Sequence, residues 1–414
     1  MVIQKILKEK IIDRDFYLDR IKKYFASPLI KVLIGQRRVG KSTILKSIIQ
    51  KFVKNKEILE ENIFYVNKEL PFFDDIKNYD DLKWKFKEFL EIKKEWKIFV
   101  WIDEIQEIKD WERFINGLLA EYAENIEIFI TWSNSFLLSG NLATYLTWRY
   151  IEFNIYPLSY SEFSIFKNES KSKNLFLEYL KYWWLPAIFK MEYSEEVIFP
   201  YLLWVYNTIV LKDIIAYHNI KNISFFKDLY KYTLSNIWNI VSWKSIKDYL
   251  KSQKIAIWNE TVLNFLKYAE ETFILNKVYS VEPETKRYFE IYNKYYVWDL
   301  WLRNALVWFD FKRDIWELLE NYVYLELKRN NYDLIIWRLK SGKEIDFIAT
   351  KNWITKYFQV CYLLGSEDTI KREYLSLEEI SDNWEKYVVS FDDIDFGVSK
   401  WIRHINIMEL EKVL

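Results

Sequence analysis

The feature that most constrains this chain is Gly35-Gln36-Arg37-Arg38-Val39-Gly40-Lys41-Ser42-Thr43, a glycine-framed run ending in lysine and two hydroxyl residues. Residues 29–35 read as a buried strand entering it, and the residues after Lys41 carry apolar side chains at helical spacing. Strand, glycine loop and helix in that order form a phosphate-binding loop. Gly35 and Gly40 let the backbone turn its N–H groups inward, and the helix N-terminus adds its positive dipole. Lys41 is expected to reach the β- and γ-phosphates of ATP, and Ser42 to ligate Mg²⁺.

A second element follows at Lys97-Ile98-Phe99-Val100-Trp101-Ile102-Asp103-Glu104. An apolar strand ending in paired carboxylates commonly marks only a strand leaving the core. One strand–helix region downstream of a phosphate loop, it reads as a hydrolytic pair. Asp103 is expected to hold the Mg²⁺ shell through water, and Glu104 to polarise the attacking water as general base.

Strands are expected at 62–66, 97–102, 126–131 and 150–155, with helices after Lys41, at 80–93 and from Trp111. The alternation predicts an α/β domain with a largely parallel sheet over residues 1–163, closed by Pro157 and a turn at 158–163. Residues 164–300 read as a helical region with a winged-helix-like segment, and 301–414 as a mixed α/β domain with strands at 332–338, 344–350 and 355–362.

Among 414 residues, 60 are basic and 60 acidic, so no global charge points to nucleic acid or membrane. A single cysteine, Cys361, excludes an intramolecular disulfide, and with only His218 and His404 beside it a zinc site is not expected. The N-terminus is charged from Lys5 onward and lacks the apolar core of a signal peptide, and the longest apolar stretch, 199–211, is too short to span a bilayer. The expected location is cytoplasmic.

One count is abnormal: 20 tryptophans against 7 glycines, where glycine averages about 7% of residues. Tryptophan repeatedly stands where a turn or helix end calls for glycine, as in Thr131-Trp132-Ser133, Thr147-Trp148-Arg149, Trp184-Leu185-Pro186, Ile336-Trp337-Arg338 and Asn352-Trp353-Ile354. We read these as UGA codons that mean glycine, translated as tryptophan. An aromatic-rich chain with few turns is the alternative.

Asp103-Glu104-Ile105-Gln106 with Trp111-Glu112, Thr131-Trp132-Ser133-Asn134-Ser135, Leu142 to Arg149 and Tyr156-Pro157-Leu158-Ser159 resemble a prokaryotic AAA-type P-loop ATPase family that carries a fused C-terminal domain of poorly defined function. The family pattern has glycine at Trp132 and Trp148, and the departures at Trp184, Trp301 and Trp337 run the same way. The resemblance implies that Asn134, or Ser133 in its place, is the sensor of the γ-phosphate or the water. It implies that Arg149 is an arginine finger acting on a neighbouring subunit, and hence a homo-oligomer. A helix cap and an ordinary surface arginine are the plainer readings of Asn134 and Arg149.

Helices expected at 243–250 and 259–271, then a strand pair at 277–282 and 287–292, resemble a winged helix-turn-helix. Lys244, Lys247, Lys251 and Lys254 could meet phosphates, while Glu260, Glu270 and Glu271 would oppose DNA. A protein-interaction module is equally compatible with it.

Residues 301–414 resemble the restriction-endonuclease-like fold. Glu320 or Glu326 lies on its first helix, Glu344 and Asp346 on a strand, and Gln359-Val360-Cys361 where active members carry Glu-x-Lys. Gln359 could ligate weakly, but nothing replaces the lysine, which implies a decayed, structural or recognition domain. Cys361 reads as a buried strand residue and not a nucleophile. The whole is read as an ATPase whose Mg²⁺-dependent turnover drives a conformational change on an unidentified partner, protein or DNA. The alternatives are a nucleotide-dependent interaction module with negligible turnover, or a DNA-associated protein with a residual nuclease-like domain.

Overall fold

The computed structural model describes residues 2–93, 97–133, 146, 149–182, 185–192, 194–237, 240–241, 243–252, 259–281, 288–307, 310–339, 343–394 and 396–414. Two compact units divide the chain, Met1–Ile155 and Tyr156–Leu414. Among the described residues no helix is long and apolar enough to cross a membrane.

The first unit opens with helices α1 (Val2–Lys8) and α2 (Asp15–Lys22). Its strands are β1 (Ile30–Ile34), β2 (Ile63–Asn67), β3 (Ile98–Asp103), β4 (Ile126–Trp132) and β5 (Tyr150–Asn154), joined in order β2-β3-β4-β1-β5. Every pairing is parallel, as the expected strand–helix alternation requires. The first four strands are buried throughout, so their apolar runs are continuous rather than alternating. Helices α3 (Lys41–Lys54), α4 (Tyr79–Ile92) and α5 (Trp111–Tyr122) make the crossovers. A reciprocal cap starts α4: the Asn78 side chain accepts from the N–H groups of Asp80 and Asp81, and the Asp81 carboxylate accepts from the Asn78 N–H. The order places β4 between β1 and β3, so its C-terminal end projects between the phosphate loop and Asp103.

The second unit begins where a turn was expected. Ser159 and Glu162 instead form a capping box that starts α6 (Tyr160–Lys167), because Ser-x-x-Glu satisfies orphan N–H groups from both ends. Then come α7 (Lys173–Tyr182), α8 (Glu195–Thr208) with a π-helical extension at Ile209–Ala216, α9 (Ile223–Leu234), α10 (Trp243–Ser252) and α11 (Asn259–Glu271). The strand pair expected as a wing, β7 (Leu275–Val281) and β8 (Tyr288–Val297), does not stand apart with α10 and α11. It joins β6 (Ile240–Val241), β9 (Asp333–Arg338), β10 (Glu344–Lys351), β11 (Ile354–Val360), β12 (Glu385–Ser390), β13 (Val398–Ser399) and β14 (Ile402–Asn406) in one mixed sheet. Its order is β13-β14-β12-β11-β10-β9-β7-β8-β6, with β7 parallel to β9. Helices α12 (Leu300–Leu306), α13 (Phe311–Arg329) and α14 (Glu367–Glu378) complete the unit. Cys361 is buried with Ile345, Tyr357 and Leu377, and burial pushes its thiol far up, which matches a core residue.

Among the described tryptophans, five sit in contrasting environments. Trp101 stacks on Phe129 and Trp111 meets Trp132 edge to face, all in the core of the first unit. Trp353 and Trp401 are the reverse, 93% and 89% exposed. Each is the second residue of a two-residue hairpin loop, between Lys351 and Ile354 in one and Ser399 and Ile402 in the other. Both loop residues have positive φ, +50° and +69° at Asn352 and Trp353, +49° and +68° at Lys400 and Trp401. That turn geometry favours Asn-Gly.

Candidate nucleotide site

The site lies at the C-terminal ends of β1, β3 and β4, where a parallel sheet presents its loops. Gly40 takes a left-handed conformation (φ +99°) just before α3, which turns the chain into the helix. Lys41 is buried and folded back over the loop, its Nζ donating to the carbonyls of Gly35 at 2.8 Å and Gln36 at 3.0 Å. Burial lowers its pKa, against the pull of Glu104 and Asp103. Gln36 is buried with its side-chain Oε1 lacking a hydrogen-bond partner, a polar group pointing to a ligand at this loop. Val39 is buried and its carbonyl accepts from Arg14 Nη1 at 2.8 Å. Arg38 is exposed with φ +71°. Ser42 and Thr43, at the start of α3, are half-buried.

Asp103 is fully buried and held by three side chains. Thr131 Oγ1 donates to Oδ1 at 2.5 Å, Asn67 Nδ2 donates to Oδ2 at 2.9 Å, and Ser42 hydrogen-bonds to the same carboxyl. Burial and the neighbouring Glu104 nonetheless push it up to about 6. Ser42 and Asp103 are thus already together, and a carboxylate so deprived of water suits a divalent cation.

Glu104 stands at φ +56°, a left-handed conformation rare for a side chain of this kind, and its N–H donates to Thr131 Oγ1 at 2.8 Å. Oε1 accepts from Ser133 Oγ and lies 4.0 Å from Lys41 Nζ. Oε2 accepts from Gln106 Nε2 and lies 3.9 Å from Arg37 Nη1. Burial would raise its pKa, but Lys41, Arg37 and the two hydrogen bonds outweigh it and hold the carboxylate ionised. A base charged and aimed at the phosphate lysine can orient a water for attack.

Of the residues expected from sequence, Gly35 to Thr43, Asp103 and Glu104 converge here, and Ser133 joins them. Asn134 and Trp148 lie outside the described residues, as do Lys254 and Trp184. Arg149 is exposed at the start of β5, its N–H donating to the Leu146 carbonyl. Sequence reasoning did not single out Asn67, Thr131, Gln106 or Arg14. Thr131 and Gln106 sit inside motifs already noted, while Asn67 reveals itself only through its register opposite Asp103.

In the second unit, a different lysine enters the cluster whose Gln359-Val360-Cys361 triplet lacks one. Lys294, from β8, is buried with Nζ 3.0 Å from Glu320, 3.5 Å from Asp346 and 3.6 Å from Glu344. Tyr296 donates to Glu320, the Val360 N–H to Asp346, and Gln359 Nε2 to Glu373. Glu326 belongs elsewhere, 3.3 Å from Arg329 Nε. Among the described residues no three of histidine, cysteine, aspartate or glutamate converge as a metal site; the Lys294 ammonium takes the centre.

Comparison with known proteins finds two family matches along the chain. An AAA domain family matches residues 27–164, and a domain of unknown function (DUF8612) matches residues 173–313. An uncharacterized protein of Haemophilus influenzae is 32% identical over 390 residues, 93% of this chain and 94% of that one. One from Methanocaldococcus jannaschii is 29% identical over 411 residues, 94% and 87% of the respective chains. Among solved structures, Cdc6p of Pyrobaculum aerophilum is 10% identical over 72% of this chain and 94% of its own, with a TM-score of 0.31, too loose a likeness to carry an argument. By its full-length similarity to the Haemophilus protein and its matched AAA domain, the chain belongs to a family of AAA-type P-loop proteins.

Proposed function

We propose that this protein is an Mg²⁺-dependent ATPase whose turnover drives a conformational change passed to a partner. The observation that carries the reading is Glu104, buried and 4.0 Å from Lys41 across the mouth of the phosphate loop. Gly35 to Thr43 would cradle the phosphates, with Lys41 turning its ammonium from its own loop carbonyls to the β- and γ-oxygens. Ser42 and Asp103 would hold Mg²⁺, which screens phosphate charge and orients the chain of oxygens. Glu104 would take a proton from water as it attacks, and Ser133 fixes the carboxylate's direction. On this reading Ser133 or Asn134 serves as sensor, and Arg149, exposed just before β5, would act on a second copy. A single-turnover assay of wild type against Glu104→Gln tests the reading. A fall of about a hundredfold in phosphate release supports it; equal release makes the protein a nucleotide-dependent interaction module instead.

A second reading has its own observation, Lys294 among Glu320, Glu344 and Asp346. A lysine delivered from β8 supplies the cation that the Gln359-Val360-Cys361 triplet lacks, so a residual nuclease-like activity on DNA is the alternative. It predicts DNA cleavage that is lost in Asp346→Asn and kept in Lys41→Ala. The absence of cleavage by wild type leaves Lys294 a structural ion.

A further inference from the structure

Within the phosphate loop, Arg37 and Lys41 both approach Glu104. Lys41 approaches Glu104 at Oε1, and Arg37 approaches the same carboxylate from the other oxygen, Nη1 to Oε2 at 3.9 Å. The other arm of its guanidinium lies 3.7 Å from Glu107 Oε1, on the short helical turn at Ile105–Glu107. Both of these contacts exceed hydrogen-bond length, so the two carboxylates act on Arg37 through charge. The side chain is 13% exposed, which keeps much of its charge unscreened. Adjacent Arg38 is exposed, so position in the loop alone does not confer this placement.

Arg37 and Lys41 therefore bracket Glu104, and the group that the base must act beside is the terminal phosphate. A guanidinium binds such a group through parallel N–H donors with more strength than it gains from carboxylates near 4 Å. We propose that Arg37 is the residue that distinguishes a nucleoside triphosphate from a diphosphate in this loop. It leaves the Glu104–Glu107 pair to bind the γ-phosphate in cis, and stays on that pair when only a diphosphate is bound. Glu107 is then a positioning residue that competes with the γ-phosphate for Arg37. This rests on the ATPase reading for the identity of the loop's ligand, and it assigns within one chain a role that Arg149 would fill between chains.

The test is equilibrium displacement of a fluorescent ADP analogue from the full chain with Mg²⁺, by ADP and by a non-hydrolysable ATP analogue. In Arg37→Gln the ATP analogue should weaken by about tenfold or more while ADP stays within about twofold, with Arg37→Lys between the two. Glu107→Gln, at a half-exposed position, should raise the preference for the ATP analogue. Equal weakening of both ligands in Arg37→Gln, no weakening of either, or a reduced triphosphate preference in Glu107→Gln overturns the assignment. Failure of wild type to bind either nucleotide overturns the ATPase reading itself, and is told apart by the wild-type titration alone.

Discussion

The hydroxyl of Thr131 joins the two carboxylate residues of the site, accepting from the Glu104 N–H at 2.8 Å while donating to Asp103 Oδ1 at 2.5 Å. It thereby fixes a left-handed residue and a buried anion with one atom. Thr131→Val keeps the shape and removes both bonds, leaving a buried N–H and a buried carboxylate oxygen short of a partner. The expected cost is about 1–3 kcal/mol of stability, with ATP binding less affected than hydrolysis, because the base loses its orientation. Chemical denaturation with a kcat and KM comparison checks both.

How much of this could be read in the sequence depends on the range of the interaction. The phosphate loop, Asp103 and Glu104 could be picked out as a group because each lies in a short motif of chain neighbours. Thr131 and Asn67 were not, since they reach Asp103 only through strand order and register. The strand pair expected as a wing has the right local pattern, and only pairing of β7 with β9 places it in the larger sheet. Lys294 was invisible for the same reason: it lies far from the Gln359-Val360-Cys361 triplet in sequence, and no spacing rule connects them. Glu320 and Glu326 were indistinguishable candidates until α13 turned one toward Lys294 and the other toward Arg329.

Arg149 gives a prediction on assembly. Its side chain is exposed at the start of β5. If it acts on a second copy, specific ATPase activity rises with protein concentration, and Arg149→Ala lowers turnover on the order of a thousandfold with ATP affinity retained. Activity independent of concentration and insensitive to Arg149→Ala assigns it to the surface.

Glu326 gives a pH dependence. It is buried on α13, and burial pushes its pKa from 4.5 up to about 7 against the opposing charge of Arg329. Between those values the folded chain holds a proton that the unfolded chain has released. The stability contribution of this group is therefore full below about 4.5 and is lost as pH rises through about 7. Glu326→Gln cannot titrate, so it should remove this fall, while it also gives up the charge pairing with Arg329 at 3.3 Å. Denaturation midpoints across the range read the difference in slope.

Trp353 and Trp401 give the sharpest prediction about the chain itself. Both hold positive φ at the second position of hairpin loops, almost wholly exposed. A tryptophan there bears the steric cost of a left-handed residue and gains little burial in return. Trp353→Gly and Trp401→Gly should each stabilise the protein by about 1 kcal/mol, and the effects should add because the hairpins are separate. Trp111→Ala is the opposite control. It is buried edge to face against Trp132 and should cost about 3–5 kcal/mol. If UGA is glycine in the source cell, the natural protein carries Gly at the tryptophan positions that UGA encodes. The tryptic peptide 352–356 of protein isolated from that cell would then have Asn-Gly at its start, the pair that this turn favours. Tryptophan in that peptide, with no stability gain from either glycine variant, would leave the exposed indoles as a true feature of an aromatic-rich chain.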